Sequence, residues 1–194
     1  PQKRGMTGLE TDLSAQDSHL LRHICKMTGR HQHKSPLGAA VTNRVPLNGR
    51  VVTIHVLSAD HRYAPLDDIA RLSGATDLGP TLMRSLAQVR GVMVLRTCNR
   101  VTIYVDAPTQ ADPHALKDAV ERELAQASHT PREDVQLRHL WGHDGLVDLF
   151  ATASGLESMV IGEREIAGQM RRAARTAWED GTLSCDLGLS LIHI

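Results

Sequence analysis

Residues 92–106, VMVLRTCNRVTIYVD, set the apolar run Val92 to Leu95 directly ahead of a segment in which Val101, Ile103 and Val105 alternate with Thr102, Tyr104 and Asp106. An apolar run followed by period-two alternation predicts two strands, the second half-buried, joined by a turn at Asn99 and Arg100. That turn carries Cys98 between two arginines, Arg96 and Arg100. A thiol reacts as its thiolate, and neighbouring cations lower its pKa, so this setting favours a nucleophile. The competing reading is structural, because a free cysteine often serves as a small buried hydrophobe.

Upstream, VVTIHVLSA (residues 51–59) is rich in β-branched side chains and predicts the first strand, ending in a polar turn at Asp60 and His61. Pro65 opens a helix through Leu66, Ile69 and Leu72, and a second helix runs from about Leu78 to Val89. Downstream, Leu116, Val120 and Leu124 mark a helix from Asp112 to Ala127, and PREDVQLRHLWG (131–142) reads as a short helical start and an extended piece. A helix from about Asp144 to Ser154 turns Leu146, Leu149, Phe150 and Ala153 inward, with Gly155 as a left-handed cap. A last helix, from about Arg164 to Trp178, lines up Ile166, Met170, Ala173 and Ala177, and Gly181 ends it. The irregular order of strands and helices indicates an α+β fold with a mixed or antiparallel sheet. No glycine-rich dinucleotide fingerprint follows a predicted strand, and the tail LSLIHI offers no closing element, as in a truncated chain.

The chain has 194 residues, enough to bury a core without staples, and its 22 basic and 22 acidic side chains balance. Eight of the basic and three of the acidic residues lie in residues 1–50, which leaves the remainder mildly acidic. Phosphate would therefore be held by a local cluster rather than by the global field. Five aromatic residues (Tyr63, Tyr104, Trp141, Phe150, Trp178) are too few for a platform of stacked bases, so RNA contact would rest on shape and backbone. Cys25, Cys98 and Cys185 show no paired spacing, which suits a reducing compartment, and no apolar run approaches a membrane span. A cytoplasmic protein is the expectation. Residues 1–50 lack periodicity and read as a disordered or non-native extension. Within them His31 and His33 provide only two imidazoles, too few for a closed zinc site, so no metal is expected.

Three segments in order, ADHRYAPLDDIARLS (59–73), RTCNRVTIY (96–104) and ASGLESMVIGEREIAGQMRRA (153–173), resemble the N-terminal catalytic domain of glutamyl-tRNA reductase over about residues 51–180. The resemblance implies a ferredoxin-like catalytic domain over residues 51–160, with residues 161–194 beginning a connecting helix ahead of an NADPH-binding domain and a dimerising domain. Cys98 would attack the ester of glutamyl-tRNA, and NADPH would reduce the resulting thioester to glutamate-1-semialdehyde for tetrapyrrole synthesis. A thioester is more electrophilic than an oxygen ester, so the covalent route divides a difficult reduction into two accessible steps. An aminomutase would receive the aldehyde, and the full-length protein would be a homodimer. By the same resemblance Thr97, Asn99, Arg100, Ser158, Glu163, Arg164, Glu165 and Gln169 would bind substrate, Arg100 offering a planar fork to a carboxylate.

Three positions depart from the family pattern. Asp148 stands where a histidine is usual seven residues before the ASGL glycine, and Thr102 where a glutamate is usual after TCNR. An aspartate at 148 supplies neither a cation nor an N–H donor at neutral pH. Glu165 replaces a more usual glutamine and would either repel a substrate carboxylate or pair with Arg100. These departures keep open a noncatalytic tRNA-binding module of the same fold. His61 is expected to be a turn histidine with backbone partners.

Overall fold

The computed structural model describes residues 45–47, 50–159 and 165–191. Strand β2 (Arg50–Asp60) pairs antiparallel with β4 (Arg100–Ala107), and β4 with β3 (Gly91–Arg96). On its other side β2 pairs with β5 (Arg138–Trp141), which gives the antiparallel order β5-β2-β4-β3. The short strand β1 (Val45–Leu47) pairs antiparallel with the start of β2. The linker reading does not hold for Val45–Leu47, which pair with Arg50, Val51 and Val52. The rest of the expected extension, with His31 and His33, lies outside the described residues.

Helices cover both sheet faces because β2 and β4 are apolar on both. On one side α1 (Leu66–Ser73), α2 (Leu78–Ser85) and α3 (Pro113–Ala127) pack Ile69, Leu72, Leu78, Leu82, Leu116, Val120 and Leu124 over Leu57, Val101, Ile103 and Val105. On the other, α4 (His143–Ala153), α5 (Glu165–Glu179) and α6 (Cys185–Leu191) pack Leu146, Leu149, Ile166, Met170, Ala177 and Leu187 over Ile54, Val56, Met93, Leu95 and Tyr104. The path β2-α1/α2-β3-β4-α3-β5 is a split βαβ repeat, so the fold is α+β and ferredoxin-like, with an added helical layer.

That added layer changes the reading of β4. The expected half-buried strand is buried throughout, Tyr104 completely, because α4 and α5 cover the face that alternation assigned to solvent. Asp106 is accommodated by Arg90, whose Nε donates to Oδ1 at 3.0 Å, and by Ser184, whose hydroxyl donates to Oδ2 at 2.7 Å. Burial still pushes its carboxyl above the ordinary range.

Local signals account for most element ends. Asp112 caps α3 by accepting from the His114 amide at 2.9 Å, and Pro113 opens the first turn. Gly155 and Gly181 take the left-handed conformation expected after α4 and α5, with φ of 75° and 70°. The second helix stops at Ser85 rather than Val89, because Leu86 adopts a non-helical conformation and its carbonyl accepts from the Val89 amide. Phe150 is 41% exposed rather than inward, since the buried stripe of α4 runs through Gly145, Leu149 and Thr152. No helix was expected near the tail LSLIHI, yet α6 (Cys185–Leu191) takes in its first three residues, and Leu187 of this helix is fully buried.

Gly145 lets α4 ride directly on β2: a Cβ there would lie 2.6 Å from the Ile54 carbonyl oxygen. Gly145→Ala should lower unfolding free energy by about 1–3 kcal/mol in denaturant titration, the usual cost of overpacking. A second prediction concerns His55 and His139, whose Nδ1 and Nε2 lie 3.0 Å apart beside Trp141. Burial, aided by each group's positive neighbours, lowers both pKa values from 6.5 to about 4. The folded state thus binds fewer protons than the unfolded one between these values. Stability present above pH 6.5 should fall as pH drops toward 4, by on the order of 3 kcal/mol for the buried His55. Denaturant midpoints measured across that window should show the fall, and His55→Gln should flatten it; an unchanged slope would assign the loss to other groups.

Candidate active site

The hairpin between β3 and β4 presents Cys98 at its tip. The Thr97 amide donates to the Arg100 carbonyl at 2.9 Å, which closes the turn. The Thr97 hydroxyl donates to Asn99 Oδ1 at 2.7 Å and accepts from the Asn99 amide at 3.3 Å. A second tie comes from the β2–α1 turn, where the His61 amide donates to the Asn99 carbonyl at 3.0 Å. The free thiol of Cys98 is exposed, which removes the buried-hydrophobe alternative. His61 departs from expectation: its backbone is bonded, but ring Nδ1 is buried without a hydrogen-bond partner among the described residues.

Arg100, 3% exposed, points beneath the turn rather than out of it. Its NH1 donates to the Thr152 hydroxyl at 3.0 Å and its NH2 to the Glu157 carbonyl. Burial holds its guanidinium below the ordinary value, opposed by Tyr104, Asp60 and Asp148. Register places Asp60 directly across from Arg100. Asp60 in turn takes a paired contact from Arg62, Nε to Oδ1 at 3.0 Å and NH2 to Oδ2 at 3.1 Å. Burial raises the Asp60 carboxyl, yet the Arg62 hydrogen bonds and the charges of Arg62 and Arg100 outweigh it and hold it below the usual range. Arg62 also pairs with the Glu157 carboxylate, and the Tyr63 ring lies 5.4 Å from its guanidinium and 5.5 Å from that of Arg138.

Asp148, 7% exposed, is the ion-pair partner of Arg138. Where the family pattern would put a histidine, this chain therefore holds a buried carboxylate neutralised from β5. Thr102 is 1% exposed, and its hydroxyl has no hydrogen-bond partner among the described residues. Glu165 and Gln169 share one face of α5 as their spacing predicted, and the Gln169 amide donates to Glu165 Oε1 at 3.1 Å. The partners of Arg100 are Thr152 and Glu157, not Glu165. Ser158 is half-buried in the turn after α4, whereas Glu163 and Arg164 lie outside the described residues. Sequence reasoning passed over Asp60, Arg62, Arg138 and Glu157. Only the run of charges around Tyr63 hinted at them, because their pairing spans strands.

The described strands do not fit a nicotinamide cofactor. All their pairings are antiparallel, and the turn from β2 into α1, DHRYAP, has no glycine for a close approach to pyrophosphate. No reduction step is assigned to these side chains.

The family model described as glutamyl-tRNAGlu reductase, N-terminal domain, matches residues 57–190. The chain belongs to this family. It is 44% identical over 136 residues to glutamyl-tRNA reductase of Micrococcus luteus, covering 69% of this chain and 30% of that protein. The Paenarthrobacter aurescens reductase is 38% identical over 135 residues, again with 30% of its length covered. The chain thus spans about 30% of the curated relatives it matches. Among solved structures, glutamyl-tRNA reductase from Methanopyrus kandleri superposes with a TM-score of 0.57 at 24% identity, over 71% of this chain and 31% of that one.

Removing Arg138 while leaving Asp148 would strand a buried carboxylate. Arg138→Met should destabilise by roughly 3–5 kcal/mol, and the double change Arg138→Met with Asp148→Leu should cost clearly less. A double-mutant loss equal to the sum of the Arg138→Met and Asp148→Leu losses in a denaturant cycle would show that the pair is not coupled.

Proposed function

We propose that Cys98 is an acyl-accepting nucleophile and that its substrate is glutamyl-tRNA. The observation that carries this reading is an exposed free thiol on a turn tied on both sides, within a domain of the reductase family. The thiolate would attack the ester carbonyl, forming a carbon–sulfur bond. The carbon–oxygen bond to the terminal ribose then breaks, and a proton passes to the departing ribose oxygen. Thr97, Asn99, Arg100, Ser158, Glu163, Arg164, Glu165 and Gln169 are proposed to surround the glutamyl group. Arg100 would meet its carboxylate through N–H donors not engaged by Thr152 and Glu157.

For the whole protein, we propose NADPH-dependent reduction of the thioester to glutamate-1-semialdehyde, in a cytoplasmic homodimer that passes the aldehyde to an aminomutase. Residues 51–160 are proposed as the catalytic domain and 161–194 as the start of the connection onward. With these residues alone, water would discharge the thioester, so the net reaction is deacylation of glutamyl-tRNA. A second reading, a noncatalytic tRNA-binding module, is favoured by the near-complete burial of Arg100 and by the neutralised Asp148.

Incubating the chain with charged tRNA separates the two. Wild-type protein should release glutamate and show a glutamyl adduct on Cys98 after acid quench, while Cys98→Ser should release it only at the uncatalysed rate. Equal release by both proteins would remove the nucleophile and leave the binding module.

A further inference from the structure

Three strands turn a set of polar side chains toward α4. The alternation that points Ile54 and Val56 of β2 at this helical layer also points Ser58 there, and on β4 it points Thr102 together with Tyr104. Register sets Ser58 directly opposite Thr102 on one side and opposite Arg138 of β5 on the other. Ser58 is 4% exposed, Thr102 1% and Tyr104 0%. None of the three hydroxyls has a hydrogen-bond partner among the described residues, and neither has Nε of Arg138. Burial, reinforced by the nearby Asp148 charge, pushes the Tyr104 phenol far above its ordinary value, so it stays a protonated donor.

Native interiors pair nearly all such atoms, because leaving them dry and unbonded is costly. Ser58 and Thr102 stand at the spacing of a cross-strand pair, about 4.5–5.5 Å between Cβ atoms, yet their hydroxyls do not bond each other. That separation suits one bridging molecule rather than direct contact.

Charge decides what the molecule can be. Around this layer the carboxylates of Asp60, Asp148 and Glu157 are matched by Arg62, Arg100 and Arg138. An added anion would face the carboxylates and an added cation the guanidiniums, with no counter-charge left for either. An apolar occupant would leave every one of the unpartnered atoms unpaired. A small neutral molecule that both donates and accepts is required, and water meets the count: it accepts from Arg138 Nε–H and the Tyr104 hydroxyl and donates to the oxygens of Ser58 and Thr102. We propose that one internal water bridges Ser58, Thr102, Tyr104 and Arg138 and is a fixed part of the frame beneath α4. Through it β5 is tied to β2 and β4 by side chains as well as backbone, and Arg138 is held in the orientation in which it meets Asp148. This site is independent of the function proposed for the thiol.

Deleting a hydroxyl tests the site by the sign of its effect. With the water in place, Thr102→Val and Ser58→Ala each remove one of its partners, and each should raise the unfolding equilibrium constant about fivefold or more in denaturant titration. The double variant should lose less than the sum, because both changes act on the same water. Hydroxyls that are simply unpaired predict the reverse, since removing them relieves a burial cost. The wild-type chain gives a direct readout: a high-resolution crystal structure should show one water at about 2.7–3.2 Å from the four polar atoms, and nuclear Overhauser transfer should pass from water to the Thr102 methyl group. Stabilisation by both single deletions, or a crystal structure in which the three hydroxyls bond other protein groups with no water between them, would overturn the proposal.

Discussion

A buried guanidinium joins the two halves of this domain. Arg100 begins β4, opposite Asp60, and register commits its side chain to the face covered by α4. Desolvating a cation there is costly, and the cost is offset only because Thr152 and the Glu157 carbonyl accept from it while Asp60 and Asp148 lie near. Those partners come from the end of α4 and the turn beyond it. The hairpin that displays Cys98 and the ASGLES turn are therefore held together by the same contacts that keep Arg100 in place.

Glu157 shows how tightly that joint is drawn. Its carbonyl goes to Arg100 on β4 and its carboxylate to Arg62 beside β2, so one residue is gripped from two strands. Arg62 grips Asp60 in return, and Arg138 neutralises Asp148 from β5. Near-balanced charge in a closed polar layer makes the surroundings of the thiol stiff while the thiol itself stays in solvent. A rigid frame with an accessible thiol on a turn is the arrangement that the proposed role of Cys98 requires.

The charge distribution matches that use. Overall neutrality offers an RNA no long-range attraction, and the arginines of the polar layer are occupied by acids. Arg96, exposed at the edge strand two residues before Cys98, has no ion pair among the described residues. On the proposed function, recognition would depend on short-range fit at the acylated end more than on a broad basic surface.

The periodicity of residues 92–106 was enough to place the β3–β4 hairpin, and the spacing of apolar residues located α1 to α5 to within a few positions. Gly155 and Gly181 marked helix ends because a left-handed cap is a local requirement that one residue type meets best. Cys98 and its flanking arginines were legible for the same reason, since they adjoin one another in the chain. What the residues alone did not reveal was the second helical layer, which buries the polar-looking side of β4 and turns Phe150 outward. Nor did they reveal that Arg138 would neutralise Asp148, or that Arg100 would donate to Thr152 and Glu157. Those pairings join residues ten to fifty-seven positions apart, and their strength comes from exclusion of water, which exists only once both faces of the sheet are covered.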